Sequence, residues 1–371
     1  MNSEKIIDLY VCITGGFLTV FSILVFLNPQ KINKKANFFF GLFFLGLSFY
    51  FVPEILFKIN IQISSSIIKF IFIFFQLLVI FFFYYGVQYL TNPMFSIKRN
   101  LNFFMVFVIL LLISIFITKT YEYTNNGFEN VDVFFEIIYI TNITSHTILS
   151  LKTVKKHQKE ILKYRSNLEE NDLKWVEMIC YLLLIILTLQ SFKILFSHYN
   201  KHFDLIVYFA PFFFIGILFI AYHIIKQKEI YTLKEATIYN LDGETDIITK
   251  KEIIEPNKLP EFKNLIVNFF EKEKPYLDSN LNLVKTAEIL KLSTHQVSFI
   301  LNEGFKENFS QFVNRYRIEE AKNLICNPEM NYLSILGIGF EVGFNSKTVF
   351  NTTFKKNTGK TPTEFKKSQI N

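Results

Sequence analysis

The hydrophobic positions of this chain follow two patterns that meet near residue 225. Before it, apolar residues come in nearly unbroken runs; from residue 258 onward they recur at helical spacing among polar positions. Crossing a bilayer's hydrocarbon core takes roughly 20 apolar residues in a helix. Seven runs approach that length: 6–27, 38–57, 67–90, 101–117, 133–151, 176–196 and 205–225. The fifth carries Glu136, Asn142, Thr144, Ser145 and His146, so six spans with a peripheral fifth segment is the competing count. Pro53 either kinks the second helix or ends it near the interface. Asn142 and His146, one turn apart, fit interhelical hydrogen-bond partners better than ligands.

The later pattern predicts helices only. One covers 259–273 and stops at Lys274-Pro275-Tyr276. Two short helices follow, 283–290 and 294–302, with Ser293 and Gln296 spaced as a capping box at the start of the second. A long amphipathic helix over 310–326 stops at Asn327-Pro328, and a second short pair follows at 333–342 and 346–357. The pairs repeat. Ala287, Leu290 and Leu292 recur 52 residues on as Gly339, Val342 and Phe344, while Val297 and Leu301 recur 53 residues on as Phe350 and Phe354. The second turn is therefore one residue longer. A small residue, a short turn and a following helix with apolar residues four apart is helix-turn-helix packing. The 17-residue helix between the pairs spans about 25 Å, enough to hold two recognition helices near the ~34 Å repeat of a major groove.

Composition and charge sharpen the division. The chain has 371 residues, 51% of them hydrophobic, with 46 Phe and a net charge of +7. That excludes a disordered chain and a single water-soluble domain. Residues 1–225 hold 18 basic against 13 acidic side chains, residues 226–257 hold 5 against 7, and residues 258–371 hold 16 against 12. Cytoplasmic loops collect Lys and Arg. With seven spans, the first, third and fifth loops hold twelve such residues and the opposite side four, which places the N-terminus outside and the C-terminus in the cytoplasm. The start, Asn2-Ser3-Glu4-Lys5, does not resemble a signal peptide's basic stretch. Cys12, Cys180 and Cys326 form no disulfide framework or metal motif, and no metal or cofactor is expected. Residues 226–257 are either a continuation of the seventh helix that acts as a coupler or a flexible tether.

Residues ~260–367 also carry a family resemblance. The stretches 314–322 (NRYRIEEAK), 340–346 (FEVGFNS), 354–356 (FKK) and 359–365 (GKTPTEF) resemble, in order and spacing, the AraC/XylS-type DNA-binding domain. The whole architecture is similar to membrane-anchored members of that family with several N-terminal spans. The resemblance implies two helix-turn-helix motifs whose second helices enter the major groove of double-stranded DNA. The implied DNA-facing positions are Thr294, His295, Gln296, Ser298 and Asn302 in the first pair, and Lys347, Thr348, Asn351, Thr352, Lys355 and Lys356 in the second. Gln, Asn and His suit base edges and Lys suits phosphate; the alternative is that several are merely solvated. Arg315 and Arg317 fit structural or backbone-directed roles. The chain departs from the family pattern in three places. Gly337 and Gly339 replace an acidic residue and Ala, Thr352 stands where Arg is common, and Leu301-Asn302-Glu303 replaces a Phe-Lys-Lys. The domain's net +4 is modest for a DNA binder, which makes a homodimer the form that would strengthen binding.

Charges inside spans are costly and so mark candidate sensor positions: Glu54, Lys69, Glu136 and Lys193, all toward the outer ends. The competing reading is that they snorkel to headgroups. The expected architecture is all-α: a seven-helix transmembrane domain (1–225), a cytoplasmic linker (226–257) and a double helix-turn-helix domain (258–371). The expected function is a one-component transcription regulator in a bacterial inner membrane, its partners DNA and the lipid bilayer. The alternatives are that the membrane half only anchors, or that the protein is transporter-like with a regulatory cytoplasmic domain. No nucleotide loop, HExxH, kinase signature or nucleophile motif supports an enzyme.

Overall fold

The computed structural model describes residues 3–58, 66–92, 94–97, 105–106, 108–109, 112–113, 129–166, 172–197, 205–228, 230 and 254–370. Among the described residues there are thirteen α-helices and no strand, apart from an isolated bridge between Arg165 and Asn282. The chain divides into two compact units: Met1–Lys155 with Leu173–Ile230, and Lys156–Asp172 with Tyr231–Asn371.

The first unit is built from α1 (Ser3–Leu27), α2 (Lys34–Lys58), α3 (Ser66–Thr91), α4 (Glu129–Ile161, which runs on into the second unit), α5 (Lys174–Ser197) and α6 (Leu205–Lys226). Ring pairs give the directions. Tyr10 meets Phe51 and Phe26 meets Phe38, so α1 and α2 are antiparallel. Phe39 meets Tyr89 and Phe49 meets Phe75, so α2 and α3 are antiparallel. Two side-chain bonds tie α3 to α4 at one constant offset: Asn142 Nδ2 donates to Leu77 O at 2.8 Å and Gln88 Nε2 to Thr153 Oγ1 at 3.0 Å, both 65 residues apart. A constant offset means these two helices run parallel. Trp175, at the start of α5, stacks on His223 near the end of α6 and donates to Gln227 Oε1 at 2.9 Å, so that pair is antiparallel.

One end of this bundle therefore gathers the C-terminal ends of α1, α3 and α6, the N-terminal ends of α2 and α5, and the Thr153 region of α4. The last carbonyls of a helix lack intrahelical donors. Here Gln30 Nε2 donates to Ile225 O at 3.0 Å and Asn33 Nδ2 to Lys228 O at 3.2 Å, closing the end of α6 with side chains from the α1–α2 connection. At the same end Lys35, Lys155 and Lys226 lie over the rings of Tyr89, Tyr181 and Tyr222 at 5.5, 5.8 and 5.6 Å.

Large apolar side chains lie on the outside of this unit as well as in its core of Leu18, Phe44, Phe83 and Val87, and that core also holds polar groups. Val20 (67% exposed), Met178 (58%) and Ile215 (62%) face outward, whereas Ser22, Asn142, Thr147 and Ser150 are almost completely buried. By length and composition Leu9–Leu27 is, among the described residues, the one helix long and apolar enough to cross a membrane; Leu77–Thr91 and Phe214–Lys226 are shorter apolar stretches. α2 continues past Pro53 to Lys58, so that proline does not end the helix. α4 continues past 151 to Ile161, because the lysine-rich stretch after the apolar run contains no breaker. Glu54, Lys69, Glu136 and Lys193 sit in α2, α3, α4 and α5, but their side chains lie outside the described residues. So do most of 101–117 and residues 231–253 of the expected linker 226–257.

The second unit holds α7 (Leu259–Glu273), α8 (Leu283–Leu290), α9 (Thr294–Phe299), α10 (Phe309–Cys326), α11 (Ile335–Glu341), α12 (Lys347–Thr358) and α13 (Pro362–Ile370). The starts of α9 and α10 are fixed by reciprocal side-chain caps. Ser293 and Gln296 form the expected capping box before α9, and Asn308 and Gln311 form another before α10. α10 is the common wall of two cores. Its first half gives Phe309, Phe312 and Val313 to a cluster with Ile266, Phe270, Val297, Ile300 and Leu301. Its second half gives Ile318, Ala321 and Ile325 to a cluster with Val342, Phe344, Phe350 and Phe354. The stripe changes side partway because the two clusters lie on different parts of one helix.

Candidate nucleic-acid interface

Each short pair turns through the same backbone hydrogen bonds. In the first, Leu292 N–H donates to Ala287 O at 2.9 Å and Lys291 N–H to Glu288 O at 3.2 Å. In the second, Phe344 N–H donates to Gly339 O and Gly343 N–H to Phe340 O, both at 3.0 Å. These are the 52-residue equivalents. One residue later the offset becomes 53: Gln296 N–H donates to Ser293 Oγ at 3.1 Å, and Val349 N–H to Ser346 Oγ at 3.3 Å. The repeat visible in the sequence is thus a repeat of hydrogen bonds, with its extra residue in the second turn.

The two turns are filled differently. A methyl added at Gly339 would come within 2.8 Å of the Phe350 ring. The first pair has Ala287 and the smaller Val297 at the equivalent places, both buried. The departure from the family's usual Ala is therefore matched by a larger partner across the turn. Gly337 is different: it is the third residue of α11, where Ser334 Oγ accepts its N–H at 2.9 Å. An acidic side chain there would complete a capping box, and glycine leaves it half made.

The turn residues differ as well. Lys291 is left-handed at φ 56, a conformation other residues than glycine reach at a cost. Gly343 sits at φ +92, and a Cβ on it would collide with Tyr276 O and lie 2.9 Å from Arg317 Nε and Leu277 O. Arg317 explains that crowding. Fully buried on α10, it donates from Nε to Tyr276 O at 2.7 Å and from NH2 to Asp278 O at 2.8 Å, under the Phe344 ring. Burial pushes its pKa down to about 10, so it stays charged at neutral pH. It ties the loop after α7 to the second turn. Arg315 makes a forked pair with Glu307 at 2.9–3.2 Å and lies 5.0 Å from the centroids of Phe312 and Tyr316. Both arginines therefore serve the framework. Sequence spacing could mark Gly343 as a turn, but not the carbonyls of Tyr276 and Leu277 that press on it from far upstream.

Of the candidate DNA-facing residues, Lys347, Thr348, Thr352, Lys355 and Lys356 are exposed on α12, and Asn351 is half-buried. Lys355 and Lys356 occupy the last turn of that helix. Thr352 Oγ1 bonds back to Thr348 O at 2.7 Å. On the first pair Thr294, His295, Gln296 and Ser298 are half-buried and Asn302 is exposed. Gln296 Oε1 accepts from Ser293 N–H at 2.9 Å in the cap, which leaves its amide NH2 as the group that can reach a base. Asn302 Nδ2 donates to Ser298 Oγ at 3.3 Å. The first recognition helix also differs from expectation at its end. After Phe299 it widens into a π turn, Ile300–Phe305, which lets adjacent Ile300 and Leu301 both enter the core. Among the described residues no cluster of His, Cys, Asp or Glu could hold a metal.

Two short helix pairs, the second with exposed lysines on its second helix, carried on one long helix, form a double helix-turn-helix module. Residues 286–368 match the family described as a helix-turn-helix domain, and this part of the chain is an AraC-type helix-turn-helix domain, which supports DNA-binding transcription regulation. Among solved structures, the chain is similar to the C-terminal domain of the two-component response regulator YesN from Fusobacterium nucleatum. The identity is 32% over 29% of this chain and 98% of that one, with a TM-score of 0.26. No curated protein matches the chain.

Proposed function

We propose that this protein is a membrane-bound transcription regulator: a seven-span bundle, N-terminus outside, holds a cytoplasmic double helix-turn-helix domain that binds specific DNA as a homodimer at a bacterial inner membrane. The observation that carries the DNA half is the doubled turn with its equivalent hydrogen bonds on the shared helix α10, which at 18 residues is about 27 Å long. The membrane half is supported by the large apolar side chains on the outside of the bundle and by the helix directions. Parallel α3 and α4 require the chain to cross back between them, as a fourth span over 101–117 would. The lysines over tyrosine rings gather at the end that the loop charges assign to the cytoplasm.

Sensing rather than anchoring alone is the reading we favour because buried hydroxyls inside the bundle, among them those of Ser22, Tyr85 and Thr147, have no hydrogen-bond partner among the described residues. Natural cores rarely leave such groups unmet, so each is a point where a polar group entering the bundle would be held.

The test is recovery of genomic DNA bound by the full-length protein in membranes. Changing Lys355 and Lys356 together to Ala should weaken capture of all sequences and lower the slope of log affinity against log salt by about 2. An unchanged slope removes their phosphate role. Failure to enrich any fragment removes the DNA reading.

A further inference from the structure

The second unit contains a stretch from far upstream, Lys156–Asp172, that belongs to neither short pair. Its base is closed by Gln158 Nε2 donating to Asp172 O at 2.9 Å. From it, Tyr164 O accepts the N–H of Leu283 at 2.9 Å, and Leu162 O accepts the N–H of Ser310 at 3.2 Å. Arg165 bridges antiparallel to Asn282, and Asn314 Nδ2 donates to Ser166 O at 3.4 Å. The Tyr164 side chain packs against the first core, and Ser166 is 1% exposed. Leu283 and Ser310 are the first residue of α8 and the second of α10. The opening N–H groups of a helix have no intrahelical acceptor. The stretch supplies that acceptor to two helices at once, through main-chain carbonyls.

We propose that residues 162–166 are an intramolecular clip that grips the first helix-turn-helix. The DNA-binding domain then has two attachments to the rest of the chain, the linker 231–253 and this clip. The clip follows α4 directly after Ile161, so a turn or slide of that helix is delivered to α8 and α10 without passing through the linker. The hydrogen bonds above fall on α8 and α10 rather than on the recognition helices α9 and α12. The clip therefore holds the domain while leaving its reading faces open. Few bonds, each between groups that water can also satisfy, make the grip reversible, and a short tether keeps the partners at high effective concentration.

The test uses the full chain in membranes, with Cys12, Cys180 and Cys326 replaced and a protease site inserted in 231–253. Opposed residues of an antiparallel bridge lie within the Cα separation a disulfide needs. Arg165→Cys with Asn282→Cys should therefore oxidise at least about tenfold faster than Arg165→Cys with Lys291→Cys at the other end of α8. The disulfide is read as halves that stay joined after cleavage until reduced. Equal rates for the two pairs would overturn the clip. If the first pair does not accumulate in membranes, Ser166→Cys with Asn314→Cys takes its place, with the same two outcomes. Oxidation should leave genomic DNA capture unchanged. Loss of capture that reduction restores would make the segment a plug over the reading faces and overturn the proposal, whereas reduced protein that captures no DNA speaks only against the DNA reading.

Discussion

The first and second helix-turn-helix pairs reach one geometry by different routes. The first places a methyl (Ala287) against a small branched side chain (Val297) and bends at Lys291. The second removes the methyl at Gly339, inserts the Phe350 ring, and bends at Gly343 under the carbonyl of Tyr276. The shared hydrogen bonds show what such a turn demands of the backbone. The differences show that its side-chain volume need only be conserved across the contact, a choice made pair by pair.

Exchange between the pairs tests this directly. The largest effect is expected at the bend. Gly343→Ala meets both a positive φ and two crowding carbonyls, and should destabilise the second unit by about 3 kcal/mol or more, measured by denaturant unfolding of the helix-turn-helix domain. A loss below about 1 kcal/mol would mean that the loop after α7 moves aside. Next comes the contact across the turn. Gly339→Ala alone should cost about 1–3 kcal/mol by pushing on the ring. Combined with Phe350→Val it recreates the first pair's solution, and the double-mutant cycle should return a favourable coupling near 1 kcal/mol. Simple additivity would show that the two residues are not matched. Smaller still, Lys291→Gly should stabilise by up to about 1 kcal/mol, since the lysine is already held left-handed. Destabilisation there would mean that the Lys291 side chain contributes more than its strain costs.

The smallest effect concerns pH. Thr361 N–H donates to Glu364 Oε2 at 2.8 Å and Glu364 N–H to Thr361 Oγ1 at 3.3 Å, closing a capping box on α13. Those bonds hold the exposed Glu364 carboxyl below its ordinary value of 4.5. Its folded pKa is depressed, so its contribution is present above the unfolded value and disappears as pH falls through the folded one. Melting between pH 5 and 3 should therefore show a small acid-sensitive component, absent in Glu364→Gln, which keeps the reciprocal bonds without the charge. An identical acid profile in both proteins removes this role.

Much of the framework is written locally and could be read without coordinates. Six of the seven apolar runs fall within helices of the first unit, the run 101–117 lying mostly outside the described residues, and the 52- and 53-residue offsets locate both turns and the extra residue in the second. Cap residues act within four positions, which is why Ser293 and Gln296 mark the start of α9 so plainly. What escaped the sequence acts over distance or lacks a signal. α4 outruns its apolar stretch because Lys, Gln and Glu are good helix formers that an apolar run does not register. The π turn arises from two adjacent apolar residues that both need the core. The tie of Arg317 to Tyr276 O and Asp278 O joins backbone carbonyls about 40 positions away, and carbonyls have no letter in a sequence. The same holds for residues 162–166, which offer main-chain oxygens and carry no motif. Among the candidate DNA contacts, the exposed lysines of α12 were legible as a basic helix end. The half-commitment of Gln296 to its own cap needed the fold.

Sharing α10 between two cores has a consequence for synthesis and turnover. A chain interrupted before Cys326 lacks the wall on which the second core closes, and one damaged within 309–326 leaves both cores open to proteases. Synthesis that stops within α10 leaves neither core able to close as it does in the whole chain, so the two helix pairs depend on that one helix together.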